Sequence, residues 1–254
     1  MSTVALYVPG SRPDRFDRAA ATGAEVILDL EDAVAPDERG HARAAVAAWL
    51  ATHDGPVQVR VNAPGTEAGV ADVAALPAGV ALRVPKVEHP DQLAPLAGHP
   101  LHVLVESAAG VERALDLARA GSVVSIGLGE ADLAAELGLA SDRAFDWIRS
   151  RIVVAAAAAG LPAPMMSAYP DLRDLAGLEA SCRHGRELGM WGRTAVHPAQ
   201  VDVIRRVFAP TDRELAWAGE VVRALGAGSG VATLADGSMV DAAMARRARS
   251  ILGR

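Results

Sequence analysis

The sequence has little that would cross-link it, anchor it or bind a polyanion. Among 254 residues there is one cysteine, Cys182. No disulfide can form within the chain, and the thiol reads as a buried or half-buried helix residue rather than a nucleophile. No apolar run approaches the ~20 residues that span a bilayer. The first residues enter a strand pattern directly, without a basic-then-apolar leader. Basic residues number 25 against 31 acidic, a net charge of −6. No Lys/Arg run with interleaved aromatics appears, which argues against nucleic acid as a partner. Lysine is nearly absent: Lys86 is the single one, and the other basic residues are arginines. Aromatics make up only 4%, so the core must be aliphatic. These absences lead to the expectation of a cytoplasmic enzyme that engages neither membrane nor nucleic acid.

What is present is alternation. Short Val/Ile/Leu-rich runs recur at Val4–Val8, Glu25–Leu30, Val57–Asn62, Ala81–Pro85, Leu101–Glu106, Val123–Leu128, roughly Ala163–Ala168 and Thr194–Val196. Near-continuous apolar runs suit parallel strands covered on both faces. The seventh is the weakest, because Pro162 and Pro164 interrupt it. Helical stretches separate them at Arg12–Thr22, Pro36–Ala51, Val111–Ala120 and Asp142–Ala159, the last two stopped by Gly121 and Gly160. Eight strand–helix repeats of about 25–30 residues predict an α/β fold, a (β/α)₈ TIM barrel over residues 1–210. Residues 211–254 are then a C-terminal helical extension. It comprises a helix at Thr211–Leu225, a glycine-rich break at Gly226–Gly230 and a final helix from about Asp241. It is either a cap on its own barrel or an arm reaching a neighbouring subunit.

Barrel enzymes carry their sites at the C-terminal ends of the strands, and here those ends are rich in charge. Glu106 and Asp132 end the adjacent fifth and sixth strands. Two carboxylates with waters and a chelating substrate suit Mg²⁺, and no Cys/His spacing suits zinc. Alternatively, Glu106 caps the next helix or pairs with an arginine. Glu130 is a weaker candidate for an outer role. Arg60, ending the third strand, can grip a carboxylate bidentately, or can pair with Asp29, Glu31 or Asp32. Arg12 and Arg15, past the first strand, face the same choice. Lys86 offers imine chemistry with a carbonyl substrate, although neighbouring carboxylates favour an unreactive ammonium. His197 is either a proton donor or a helix-start residue held to backbone.

Eight motifs in order resemble one family: LYVPGSRPDRF (Leu6–Phe16), VILDLEDAVAPDE (Val26–Glu38), VRVNAPGT (Val59–Thr66), VPKVE (Val84–Glu88), VESAAG (Val105–Gly110), GEADL (Gly129–Leu133), AVHPAQ (Ala195–Gln200) and DGSMVD (Asp236–Asp241). Together they are similar to the citrate lyase β subunit-like proteins of the HpcH/HpaI aldolase superfamily, whose relatives include malyl-, β-methylmalyl- and citramalyl-CoA lyases. The resemblance implies Mg²⁺, with Mn²⁺ as a substitute, held by Glu106 and Asp132. It implies substrate contacts from Arg60 and Arg12 beside Glu31 and Asp32, and Lys86 in the site without an imine. It assigns Asp241 as an acid or base supplied from the C-terminal extension. The implied reaction cleaves or forms a 3-hydroxyacyl-CoA thioester, giving acyl-CoA and glyoxylate, pyruvate or oxaloacetate, in a homotrimer or hexamer. A hydroxyacyl-CoA thioesterase, a metal-dependent pyruvate aldolase and a carrier-protein-dependent lyase subunit are the alternatives. Two segments depart from the family pattern. Pro164–Tyr169 lacks an aspartate expected near the end of the seventh strand, and Arg193 stands where relatives carry lysine.

Overall fold

The computed structural model describes residues 2–226 and 230–253. It divides into two compact units, Met1–Phe208 and Ala209–Arg254. The first is a nearly closed parallel barrel of eight strands. These are β1 (Val4–Pro9), β2 (Glu25–Asp29), β3 (Val57–Arg60), β4 (Ala81–Val84), β5 (Leu101–Val105), β6 (Val123–Leu128), β7 (Met165–Met166) and β8 (Gly192–Ala195). Each pairs with its neighbour in sequence from β1 to β6, β8 closes onto β1, and β7 pairs only with β8. The seam between β6 and β7 is thus the place where the hydrogen-bonded wall stops. The shortness of β7 follows from Pro162 and Pro164, which cannot donate to a ladder.

Helices differ from the sequence expectation mainly at their starts. Pro36 lies in a turn, and its helix begins three residues later as Arg39–Leu50. Arg12–Thr22 is a 3₁₀ turn, Pro13–Arg15, followed by a short helix, Phe16–Ala20. Val111–Ala120 is two short helices, Ala108–Glu112 and Ala114–Ala118, broken where Arg113 leaves helical geometry (φ −95°, ψ 12°). Asp142–Ala159 opens as a 3₁₀ turn before the helix Asp146–Ala158. No described helix is long and apolar enough to cross a membrane.

The period of two along each strand separates two environments. Outward residues such as Leu6, Leu28, Val59, Val84 and Val103 join Phe16, Val46, Leu117, Ile152 and Ile204 from the surrounding helices in one apolar shell. Each buried side chain of this size contributes about 1.5–3 kcal/mol. Cys182 belongs to that shell, fully buried. Inward residues are different: Tyr7, Asp29, Gln58, Arg60, Arg83 and His102 line the lumen. Barrel interiors are ordinarily packed with Val, Ile and Leu. Here these polar side chains share the lumen with apolar ones and leave it partly open, and the main apolar cluster lies in the shell outside the strands.

The second unit has its own small core of Ala218, Val221, Leu234, Val240, Ala248 and Ile251. The helix Asp212–Leu225 starts at a capping box between Thr211 and Glu214. A two-stranded antiparallel hairpin, β9 (Val231–Thr233) with β10 (Met239–Asp241), leads into the helix Ala242–Leu252. The hairpin has no counterpart in the sequence reading. Residues 227–229 of the expected glycine-rich break, and Arg254, lie outside the described residues.

Candidate active site

The strand ends of β2 to β6 converge on one mouth of the barrel. Arg60, the last residue of β3, is its hub. Its Nε and Nη2 donate to Asp29 Oδ1 and Oδ2 at 2.7 and 2.6 Å, while Nη1 donates to Asp32 Oδ2 at 3.0 Å. Nη1 also lies 3.2 Å from Glu31 Oε2, off the hydrogen-bonding direction. Burial alone would lower the Arg60 pKa, but the hydrogen bonds and charge of Asp29 raise it instead. The guanidinium rests 5.0 Å above the Tyr7 ring. Of the two readings of Arg60, pairing with the acidic stretch is therefore what the geometry shows. Its fork is already closed on Asp29, so a bidentate grip on a substrate carboxylate would require Asp29 to let go.

Lys86 follows β4 and donates from Nζ to Glu31 Oε1 at 2.9 Å. That bond, with the nearby carboxylates, raises its pKa and keeps it an ammonium. This is the reverse of what imine chemistry requires. Glu31, 6% exposed, is pushed up by burial and pulled back by Lys86 and Arg60. Lys86 is also the one non-glycine among the described residues with positive φ, +57°. Such a backbone costs about 1–3 kcal/mol. It points the Lys86 N–H at Glu106 Oε2, 3.0 Å away.

Glu106 directly follows β5 and is 7% exposed. Burial first, then the negative charge of Glu31 and Asp132, pushes its pKa up to about 7, against the Lys86 N–H bond and the charge of Arg60, which lower it. Its carboxyl lies against Gly129, where a Cβ would come within 2.3 Å of Oε1. Asp132 is exposed in the first turn of the helix Glu130–Leu137, just past β6 rather than on its end. Both line one cavity of about 780 Å³ with Asp29, Asp32 and Arg60. Among the described residues no cluster of three or more His, Cys, Asp or Glu has metal-site geometry. Two oxygen donors alone fit Mg²⁺, which keeps several of its waters. A buried carboxyl driven toward neutrality is also what a cation would relieve.

Other expected residues are placed elsewhere. Glu130 is bound on both oxygens by Arg149, 2.7 and 2.9 Å, and that fully buried arginine also holds Asp142. Arg12 forks outward onto Asp14 at 2.9 Å and does not line the cavity. Arg15 lies in the turn Pro13–Arg15, which buries none of its residues. His197 is exposed, its Nδ1 accepting from Ala199 N at 3.2 Å, the helix-start role. Asp241 belongs to the second unit and caps its final helix, accepting from Ala243 N and Met244 N. Glu31 and Lys86, with Arg39 and Thr66, face a smaller hollow that Asp32 shares with the main cavity.

The sequence reading did not single out the lumen residues Tyr7, Arg83 and His102, nor the buried Asp72. Asp72 accepts from Arg43 Nε at 2.6 Å and from Asn62 N and Nδ2 at 2.8 and 2.7 Å. The signal for the lumen was available: polar residues at alternate positions of apolar runs (Tyr7; Gln58 and Arg60; Arg83; His102).

A model of the HpcH/HpaI aldolase/citrate lyase family matches residues 3–198. The chain is 36% identical to a citrate lyase subunit beta-like protein of Mycobacterium tuberculosis, over 98% of this chain and 94% of that one. It is 36% identical to a (3S)-malyl-CoA thioesterase of Cereibacter sphaeroides, over 93% and 88%. Among solved structures, CitE of M. tuberculosis in complex with magnesium, acetoacetate and coenzyme A superposes with a TM-score of 0.87 at 33% identity, covering 99% of this chain and 97% of that one.

Proposed function

The chain belongs to the HpcH/HpaI aldolase/citrate lyase family, and from that premise we propose that it is a Mg²⁺-dependent carbon–carbon lyase. Its substrate would be a 3-hydroxyacyl-CoA thioester, cleaved to acyl-CoA and a small 2-oxo acid such as glyoxylate, pyruvate or oxaloacetate, or formed from them. The observation that carries this reading is Glu106: a buried carboxyl at a barrel mouth, lining one cavity with Asp132, with a pKa near 7 and, among the described residues, no ion-pair partner. Glu106 and Asp132 would hold the cation, which when bound supplies Lewis acidity to the oxygens of the oxo acid.

The remaining work falls to the chain's own groups. Arg60, immobilised by Asp29 and Asp32, contributes a fixed positive charge beside the cavity where negative charge develops on the substrate oxygen. Lys86 acts through charge, opposing the upward push that burial gives the Glu31 pKa. Its backbone N–H orients Glu106. The assignment of Asp241 as the proton donor rests on family resemblance alone, since its carboxylate here is occupied with helix capping. Arg12 as a substrate contact rests on the same resemblance and would have to leave Asp14. A cytoplasmic homotrimer or hexamer, with the second unit as its own domain, completes the proposal.

Calorimetric titration of the purified protein with pyruvate, oxaloacetate and glyoxylate tests it. Binding that requires Mg²⁺ and disappears in Glu106→Ala is expected. Metal-independent binding, or an active Glu106→Ala variant, would sink the assignment. A second reading is supported by the likeness to a malyl-CoA thioesterase. Free CoA released with an intact hydroxy acid would select hydrolysis; acyl-CoA released with an oxo acid would select cleavage.

A further inference from the structure

The cavity does not end at the carboxylates of the mouth. It continues down the lumen, where β6 contributes the small residues Ser125 and Gly127. Two strands away along the same wall, Arg83 of β4 lines the cavity and is 7% exposed. Its Nε donates to Gln58 Oε1 at 2.9 Å, and its Nη1 reaches Tyr7 OH at 3.4 Å. Among the described residues its Nη2 has no hydrogen-bond acceptor and no carboxylate within ion-pair distance. The nearest acid by connection is Glu25, one side chain removed through Gln58 Nε2. The next strand adds His102, whose Nδ1 is 2.7 Å from Ser125 Oγ. Burial, and then the charge of Arg83, lowers its pKa to about 3, so the ring is neutral. The ring lines the same cavity, and among the described residues its Nε2 has no hydrogen-bond partner. A buried guanidinium without a counter-ion is costly. Donors left open beside a cavity point to the species that would satisfy them.

We infer that the lumen beneath the mouth is a binding site for a small carboxylate, held by Arg83 Nη2 with His102, Ser125 and Tyr7 around it. The carboxylate is either a free anion or the second carboxylate of a dicarboxylic oxo acid whose other end is held at the mouth. This second source rests on the lyase reading; the site itself does not.

Formate, with EDTA present so that no metal occupies the mouth, is the probe. Wild-type protein should bind it and shift the His102 ring resonances, raising the pH at which that ring titrates. Arg83→Met should weaken formate at least tenfold, as expected for a lost charged hydrogen bond. Asp132→Asn, which alters only the mouth, should leave formate binding intact. Ser125→Leu, which fills the lumen and keeps Arg83, serves if Arg83→Met does not fold, and should also abolish binding. Undisturbed His102 resonances at saturating formate, or formate binding lost in Asp132→Asn but retained in Arg83→Met, would overturn the inference. With Mg²⁺ present, formate competing with oxaloacetate but not with pyruvate would identify the substrate's second carboxylate as the occupant. Formate binding alongside both would identify a free anion. Failure of Mg²⁺-dependent oxo-acid binding with formate binding intact would overturn the lyase reading alone.

Discussion

Replacing Gly129 with alanine tests the metal assignment without removing a single polar group. The backbone there has φ −100° and ψ 84°, a conformation open to L residues, so the alanine itself brings no left-handed strain. Its Cβ, however, would lie 2.3 Å from Glu106 Oε1, 2.4 Å from Cγ and 2.6 Å from Cδ, whereas ordinary van der Waals contact begins near 3.4 Å. The carboxyl must retreat by about 1 Å, the difference between 3.4 and 2.3 Å. It has little room to do so, being 7% exposed and tied to the Lys86 N–H at 3.0 Å. Misplacing a metal ligand or reacting group by that much costs roughly 10–100-fold in metal affinity and about 100-fold in turnover. Calorimetric titration of Mg²⁺ in the presence of pyruvate reads the first, a thioester-cleavage assay the second, and circular-dichroism melting shows whether the fold survives. A folded variant that binds Mg²⁺ within twofold of wild type would refute the reasoning, because Glu106 would then not be where the metal is held.

Two further outcomes follow from other buried charges. The Glu106 carboxyl titrates near 4.5 in the unfolded chain and near 7 when folded, so between those pH values the metal-free folded protein holds the extra proton. Its stability therefore falls as pH rises through that window, by roughly 3 kcal/mol from this group. Glu106→Gln should remove that slope and melt above metal-free wild type at pH 8 while losing Mg²⁺ binding. An identical pH dependence in variant and wild type would contradict it. Asp72→Ala, on a fully buried carboxylate that holds Arg43 and Asn62, should cost about 3–5 kcal/mol in urea unfolding. A loss below about 1 kcal/mol would mean that the network is not what supports β3.

Much of this protein could be read without coordinates, because the signals involved are local or periodic. Apolar runs of strand length alternating with helical segments specify parallel strands, since both faces of each must be covered, and the barrel followed from their number. The acidic and basic residues at strand ends were visible for the same reason: chain order alone places Arg60 at the end of its strand and Glu106, Asp132 and Lys86 just beyond theirs. Seams and starts were less legible. β7 shrank to Met165–Met166 because proline limits a ladder, and Pro36 lies ahead of its helix because a turn uses it first. Three features were decided only by the tertiary structure. Arg60 is locked by Asp29 rather than open to a substrate, because register pairs Asp29 with Arg60 across adjacent strands. Lys86 adopts a left-handed backbone because a carboxylate from the next strand accepts its N–H. The lumen holds polar side chains around open space because residues far apart in the first unit's sequence turn inward into one cavity. Pairings between residues distant in sequence depend on register and closure, and no local pattern carries that information.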